Sequence, residues 1–396
     1  LAGRSASAML VGGLVRRRAV WLRLLGGAGA ALAIAGCGTA ASSGSSGAIA
    51  GTTLTIYASR PAGAGSQTST DVLDAEKLAF EAATHKAGKY TLVFRAIHGS
   101  ELSDNARTAI QDKTAIAYLG ELAPGTSGVS VQINNEQGLL QVSPVDTAVY
   151  LTQPTPAVPG APKSYYPSNS TYHDTFARVV PTTAAEAKAL VAEMHALKLS
   201  KLYVSDDGTP YGASTALEVR QDAPSQGLTI VSSPQTADAV FYGGLPGTDA
   251  AHALDQAAST SPSARLFAPS ALYDQAFVAG LTPAAQRNLY VSSPGFTTKE
   301  LSPAGQQFVT KFTSTFGRAP VPQAIFGYEA MSAVLAVLDQ AGANAGDRSD
   351  VVSDFRTLKN RQSVLGTYSI VGGDTNIAPF IFARPQGGRL VARPPA

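Results

Sequence analysis

From residue 54 onward the apolar positions alternate between short β-rich runs and stripes with helical spacing. Leu54-Thr-Ile-Tyr-Ala is the first run. Val72, Ala75, Ala79 and Ala82 come next at spacings of three, four and three, which draws one face of a helix. Tyr90-Thr-Leu-Val-Phe and residues 114–119 predict the next strands, and Gly138-Leu-Leu-Gln-Val a further short one. Thr183 with Glu186 three residues on reads as a capping box, and Leu190, Val191, Met194 and Leu197 mark the face of the helix behind it. Strands at 202–205, 228–232, 239–242, 265–268 and 288–292 alternate with helical segments near 248–259 and 271–279. Ser302-Pro303 opens a helix with Phe308, Val309, Phe312 and Phe316 on one face, and a long apolar helix spans about 323–341. Strand and helix in alternation predict an α/β fold with parallel sheets covered on both faces. Ligands of such sheets bind beyond the carboxyl ends of the strands.

The first 37 residues obey a different rule. They hold five arginines, no acid, and an uncharged stretch at 24–35, the layout of a signal peptide. That stretch has 12 residues, short of the roughly 20 a membrane-spanning helix needs. Ile34-Ala35-Gly36-Cys37 resembles the bacterial lipobox, so Cys37, the single cysteine of the chain, is expected to carry a lipid. Residues 38–51 lack apolar period and read as a flexible tether. Removing residues 1–37 turns a balance of 30 basic against 28 acidic residues into 25 against 28, so no basic surface for nucleic acid is implied. About 345 residues remain beyond the tether, enough for two domains.

Catalytic patterns are missing from the sequence. His85, His98, His173, His195 and His252 stand singly, without HExxH spacing, so no metal site is expected. There is no GxSxG elbow and no GxxxxGK[ST] loop, and Gly63-Ala-Gly65 lacks the remaining features of a dinucleotide loop. Asp206-Asp207 read as solvated turn acids. The expectation is a protein without cofactor and without enzymatic activity.

Seven blocks in order bear a resemblance to a known family. They are Arg60-Pro61-Ala-Gly63; Leu119-Gly120 with Gly138-Leu-Leu-Gln-Val-Ser-Pro-Val-Asp-Thr147; Phe176-Ala-Arg178 with Pro181; Tyr211-Gly212; Ala237 to Gly244; Gly327-Tyr328-Glu329-Ala330; and Gly366-Thr-Tyr-Ser with Gly373-Asp374. Together they resemble the type I periplasmic binding proteins of the Leu/Ile/Val-binding group, which serve ABC transporters. The resemblance implies two Rossmann-like lobes joined by three crossovers, with 52–175 and 298–342 in one lobe and 176–297 and 343–396 in the other. It further implies a small polar ligand, with amino acids among the candidates, an ABC permease as partner, and a place on the outer face of the cell membrane through the lipid on Cys37. The alternative is a lipoprotein sensor or envelope-regulatory protein that uses the same body for protein contacts.

Carried over block by block, the ligand-binding positions are Thr126, Ser127, Val145, Asp146, Thr147, Tyr211, Leu245, Ser270 and Tyr328. The sequence departs from the family at several of them. Pro124 stands where a hydroxyl is expected, Leu245 where an aromatic is, and Ser270 where the second lobe should supply an acid to an ammonium group. Asp146 is either a substitute for that acid or a loop carboxylate that caps backbone amides.

Overall fold

Two sheets form from the alternating runs. The computed structural model describes residues 48–60, 66–387, 389–393 and 395. The signal segment, Cys37 and most of the tether lie outside the described residues, as do residues 61–65, which include Pro61 to Gly63 of the first family block.

The first sheet has six strands in the order Lys86–Ala87, Tyr90–Ile97, Thr53–Ser59, Ala115–Leu119, Leu140–Ser143 and Phe176–Arg178. All pairs are parallel except the short hairpin partner Lys86–Ala87. The second has seven, in the order Arg389–Arg393, Phe380–Gln386, Leu289–Pro294, Arg265–Ala268, Ala239–Gly243, Lys201–Asp206 and Thr229–Ile230. Its last five are parallel, and the C-terminal pair adds two antiparallel strands at one edge. Every residue of Ala115–Leu119, Ala239–Gly243 and Leu289–Pro294 is buried, as expected of central strands with helices on both faces. The expected α/β class with parallel sheets in two lobes is what the chain adopts.

The chain passes between the lobes after Arg178, after Pro294 and before Phe380. This division parts from the expected boundaries at two places. Phe176–Arg178 is the edge strand of the first sheet, paired Gln141 to Phe176 and Ser143 to Arg178, and does not belong to the second lobe. Residues 343–370 also pack in the first core, where Val351, Val352, Phe355, Leu365 and Tyr368 are buried. The reason is coverage. The helix Arg348–Arg356 closes one face of the first sheet, with Arg348 Nε donating to Ala115 O at 2.9 Å and Arg356 Nη1 to Phe176 O at 2.5 Å. The third passage therefore comes near residue 378, not at 343.

Two helices of the first lobe, Gln67–Glu81 and Ala324–Ala341, each start at the end of the molecule where the strands of that lobe finish. They lie so close that a Cβ on Gly327 would stand 2.5 Å from Val72 O. At the head of the first of them, the buried Asp71 accepts from Arg318 Nε at 2.9 Å, from Gln67 Nε2 at 2.6 Å and from Val321 N at 2.9 Å. That carboxylate fixes the segment leading into the second helix. Gly327→Ala is expected to force the helices apart and to cost about 1–3 kcal/mol, read as a lower urea midpoint with unchanged slope. A midpoint equal to the parent's would show that the close approach is not constrained.

Candidate functional site

Where the parallel strands of both lobes end, the loops beyond them face a common cavity of about 340 Å³. The first lobe contributes Ser66, Thr68 and Ser69 after Thr53–Ser59, Leu122, Ala123, Pro124 and Thr126 after Ala115–Leu119, and Val145 after Leu140–Ser143. The second contributes Leu245 and Pro246 after Ala239–Gly243, Ser270 to Asp274 after Arg265–Ala268, and Pro294. Gln323, at the head of Ala324–Ala341, completes the wall. The lining is largely apolar, with a few hydroxyls, one amide and one carboxylate, the composition of a small-molecule site.

The first-lobe wall is held from behind by Asp146. Its Oδ1 accepts from Gly125 N at 2.7 Å and from Ala148 N at 3.0 Å, and its Oδ2 accepts from Ser127 N at 2.7 Å. The residue is fully buried. Arg178, also fully buried, donates from Nη1 to Asp146 O at 2.8 Å and pairs with Asp374 at 2.9 Å. Ser143 Oγ accepts from Asp146 N at 2.9 Å and donates to Glu121 O at 3.0 Å. Deeper still, the Glu121 carboxyl accepts from Ser59 Oγ at 2.5 Å and from Tyr118 OH at 2.7 Å. Burial pushes this carboxyl up to about 7, against the lowering effect of those hydrogen bonds. Glu76 is buried beside it with no partner for either carboxyl oxygen among the described residues, and burial raises it well above the usual range.

In the second lobe the buried Glu186 plays the matching part. Its Oε1 accepts from Ser270 N at 2.6 Å and Ser292 Oγ at 2.5 Å, and its Oε2 from Ser270 Oγ at 3.1 Å. The capping box expected at Thr183 is therefore not formed. Thr182 is the N-cap, accepting from Ala185 N at 3.4 Å, and Glu186 reaches across to the cavity wall instead. Asp207 is more than a solvated turn acid: its Oδ2 accepts from Leu245 N at 2.9 Å and so sets the loop that carries Leu245.

Of the nine expected positions, Thr126, Val145, Leu245 and Ser270 line the cavity. Ser127, Asp146, Thr147 and Tyr211 stand behind the wall, all buried, with Thr147 Oγ1 and Tyr211 OH 3.3 Å apart. Gly125, at a φ of +74°, lies against Tyr211, whose Cβ would be 3.0 Å from any Cβ placed there. The carboxylate of Asp146 is spent on backbone amides, the second of its two readings. Tyr328 is a correction. It packs against Phe308 at 5.1 Å and borders a separate hollow with Leu78 and Lys311, because it lies beyond the first turn of its helix while Gln323, at the head, faces the cavity. Ser66, Thr68, Ser69, Tyr273, Asp274 and Gln323 join the wall without a signal in the family blocks. Asp274 is the most legible of these: an acid is expected near Ser270, and it stands four residues later.

A body of two α/β lobes with a ligand-sized cavity between the ends of their parallel strands defines a two-lobed solute receptor. Residues 56–388 match the periplasmic binding proteins, and the chain belongs to that family. An ABC transporter substrate-binding protein from Desulfitobacterium hafniense in complex with Leu superposes with a TM-score of 0.68 at 17% identity, covering 86% of this chain and 100% of that one. A leucine-binding protein from Thermotoga maritima gives 0.69 at 17% identity, with coverage of 86% and 97%. A solute-binding protein of an ABC transporter from R. palustris, in complex with benzoate, gives 0.64 at 16% identity, with coverage of 86% and 95%. No curated protein sequence matches the chain.

The buried acids lead to two expected outcomes. Asp146→Ala removes the acceptor of three backbone amides, two of them buried, and is expected to destabilise the protein by about 3 kcal/mol, seen as a fall in denaturant midpoint. The Glu121 carboxyl, near 7 when folded against 4.5 for an ordinary glutamate, makes the folded state hold a proton that the unfolded state loses between those values. Its stabilising contribution is complete below the lower value and lost as pH rises to the upper one, on the order of 3 kcal/mol. Glu121→Gln should therefore reduce the loss of stability between pH 5 and 7.5 in urea titrations, and an unchanged loss would mean that the carboxyl is ionised in the folded protein.

Proposed function

We propose that the protein captures a small, mainly apolar solute with a polar head in the interlobe cavity and presents it to the permease of an ABC importer. The observation that carries this reading is the cavity itself, assembled from strand ends of both lobes and lined by apolar side chains with few polar groups. It is supported by the solved structures of similar fold that hold leucine and benzoate. The sequence of Arg16 to Arg18, the uncharged stretch and Cys37 supports export and attachment by lipid to the outer face of the membrane.

An amino acid is one such solute. Asp274 supplies from the second lobe the carboxylate that Ser270 cannot, while its Oδ1 also accepts from Phe277 N at 2.7 Å. A carboxylate so held is a fixed partner for an ammonium group, and the apolar walls suit an aliphatic or aromatic body.

The test is a thermal-shift screen of the protein against amino acids, aromatic acids, amides, polyamines and sugars. Tryptophan fluorescence would not report on the cavity, because the only tryptophan is Trp21. A solute at about 100 times its dissociation constant should add roughly 2.7 kcal/mol of stability, a rise of a few degrees. For an amino acid, Asp274→Asn should abolish the shift; for an aromatic acid it should not. No shift across the panel would turn the reading to the sensor or envelope-regulatory alternative.

A further inference from the structure

We propose that the first lobe holds a carboxylate of the solute at the paired starts of the helices Gln67–Glu81 and Ala324–Ala341, with Thr68 and Gln323 as its donors. The inference rests on the receptor reading and adds where the acid group of the solute lies and which side chains read it.

The two helix starts stand side by side. Val72 and Gly327 meet at the close approach described above, one turn or so into each helix. Both starts open on the cavity, since Thr68 and Gln323 line it. The N-terminal end of a helix carries partial positive charge, and neither helix has an acid in its first turn to offset it. Asp71, in the second turn of the first helix, is paired with Arg318.

The donors are side chains. Gln323 is 3% exposed, and its Oε1 is sealed with no partner among the described residues. The atom of this amide that meets the cavity is therefore Nε2, a donor that makes no hydrogen bond among those residues. Its backbone is held on both sides. Val321 N donates to Asp71, Pro322 abuts Gly295, and Phe326 N donates to Gln323 O at 3.1 Å. Thr68 Oγ1 is likewise without a partner among the described residues, at the head of a helix that Ser66 caps. Two unspent donors at two positive helix ends suit an acceptor that carries negative charge.

Elsewhere the wall is less suited. Ser66 Oγ donates to Ser69 Oγ, Ser69 Oγ to Ser66 O, Thr126 Oγ1 to Ala123 O and Ser270 Oγ to Glu186. Tyr273 also has an unpartnered hydroxyl, but it stands beside Asp274, the one acid among the lining residues. A carboxylate placed there would face a like charge. The second lobe therefore suits a cation and the first an anion. An amino acid would span the cavity between them, and an aromatic acid would use the first-lobe site alone.

Calorimetric titration of the full chain with matched acids and amides tests this. The pairs are leucine against leucinamide, benzoate against benzamide, and 4-methylpentanoate against 4-methylpentanamide. The parent should bind the acid of a pair roughly 10-fold more tightly than its amide. In Gln323→Met that preference should fall to within about 3-fold, with the affinity for the amide unchanged. Thr68→Val, close in shape to the parent, should lower the preference in the same direction, and it carries the test if the methionine variant does not fold. A parent that binds amide as tightly as acid would overturn the inference, as would a preference unchanged in both variants. A preference that falls only in Tyr273→Phe would put the carboxylate on the second lobe and overturn it too. Each of these results leaves the receptor reading intact. No binding of any probe to the parent would count against the receptor reading, and the inference would go with it.

Discussion

Three backbone amides converge on the carboxylate of Asp146, and the shape of the cavity's first-lobe wall depends on that convergence. Residues 123–127 come after a strand end, where the backbone has no sheet partner to satisfy its donors. A single carboxylate placed behind them replaces the missing ladder and holds Gly125 and Ser127, with Gly125 packed against Tyr211. The charge is itself anchored through its main chain, by Arg178 from the edge strand and by Ser143 from the adjacent one. Arg178 in turn pairs with Asp374, which lies just ahead of the third passage between lobes. One buried polar chain therefore links the cavity wall to two of the three passages.

The second lobe solves the same problem with Glu186, which holds Ser270 by both its backbone and its side chain. The two acids differ in one respect. Asp146 holds three backbone N–H groups, whereas Glu186 holds one backbone N–H and two hydroxyls, and burial raises the pKa of Glu186 despite them. Further acids stand behind these walls with their protons favoured by burial: Glu121 near 7, Glu218 near 8, and Glu76 raised well above its ordinary value.

Sequence patterns carry the fold further than the site. Period and turn chemistry reveal most strands and the long helices, because central parallel strands are continuous apolar runs and the helices have one buried stripe. The three residues Phe176–Arg178 are too short to show a period, and the boundaries implied by the family resemblance put this edge strand, and the helix Arg348–Arg356, in the other lobe. At the site, the family blocks lead to loops that border the cavity, though not every side chain they name faces it. Thr126, Val145, Leu245 and Ser270 face the cavity. Tyr328 is named by its block, yet which face of a helix meets a cavity depends on the angle at which the helix is packed, and no block encodes that. Asp274 and Gln323 escape the blocks for a related reason: each lies a few residues from a recognised motif, at a position fixed only by tertiary contacts.

The cavity departs from the pattern of the family blocks at three positions. The usual hydroxyl, aromatic and acid are replaced by Pro124, Leu245 and Ser270, each smaller in polarity or in bulk. Two further polar side chains reach the cavity from the segments beyond those loops. Asp274 comes from the start of a short helix in the second lobe, and Gln323 from the head of the helix that begins after the second passage. Both are residues at helix starts whose backbone is held by caps and neighbours rather than by the sheet. Their placement depends on Asp71, Gly295 and Phe277. Polar recognition can thus change in chemistry here while the sheets and the Asp146 anchor stay as they are.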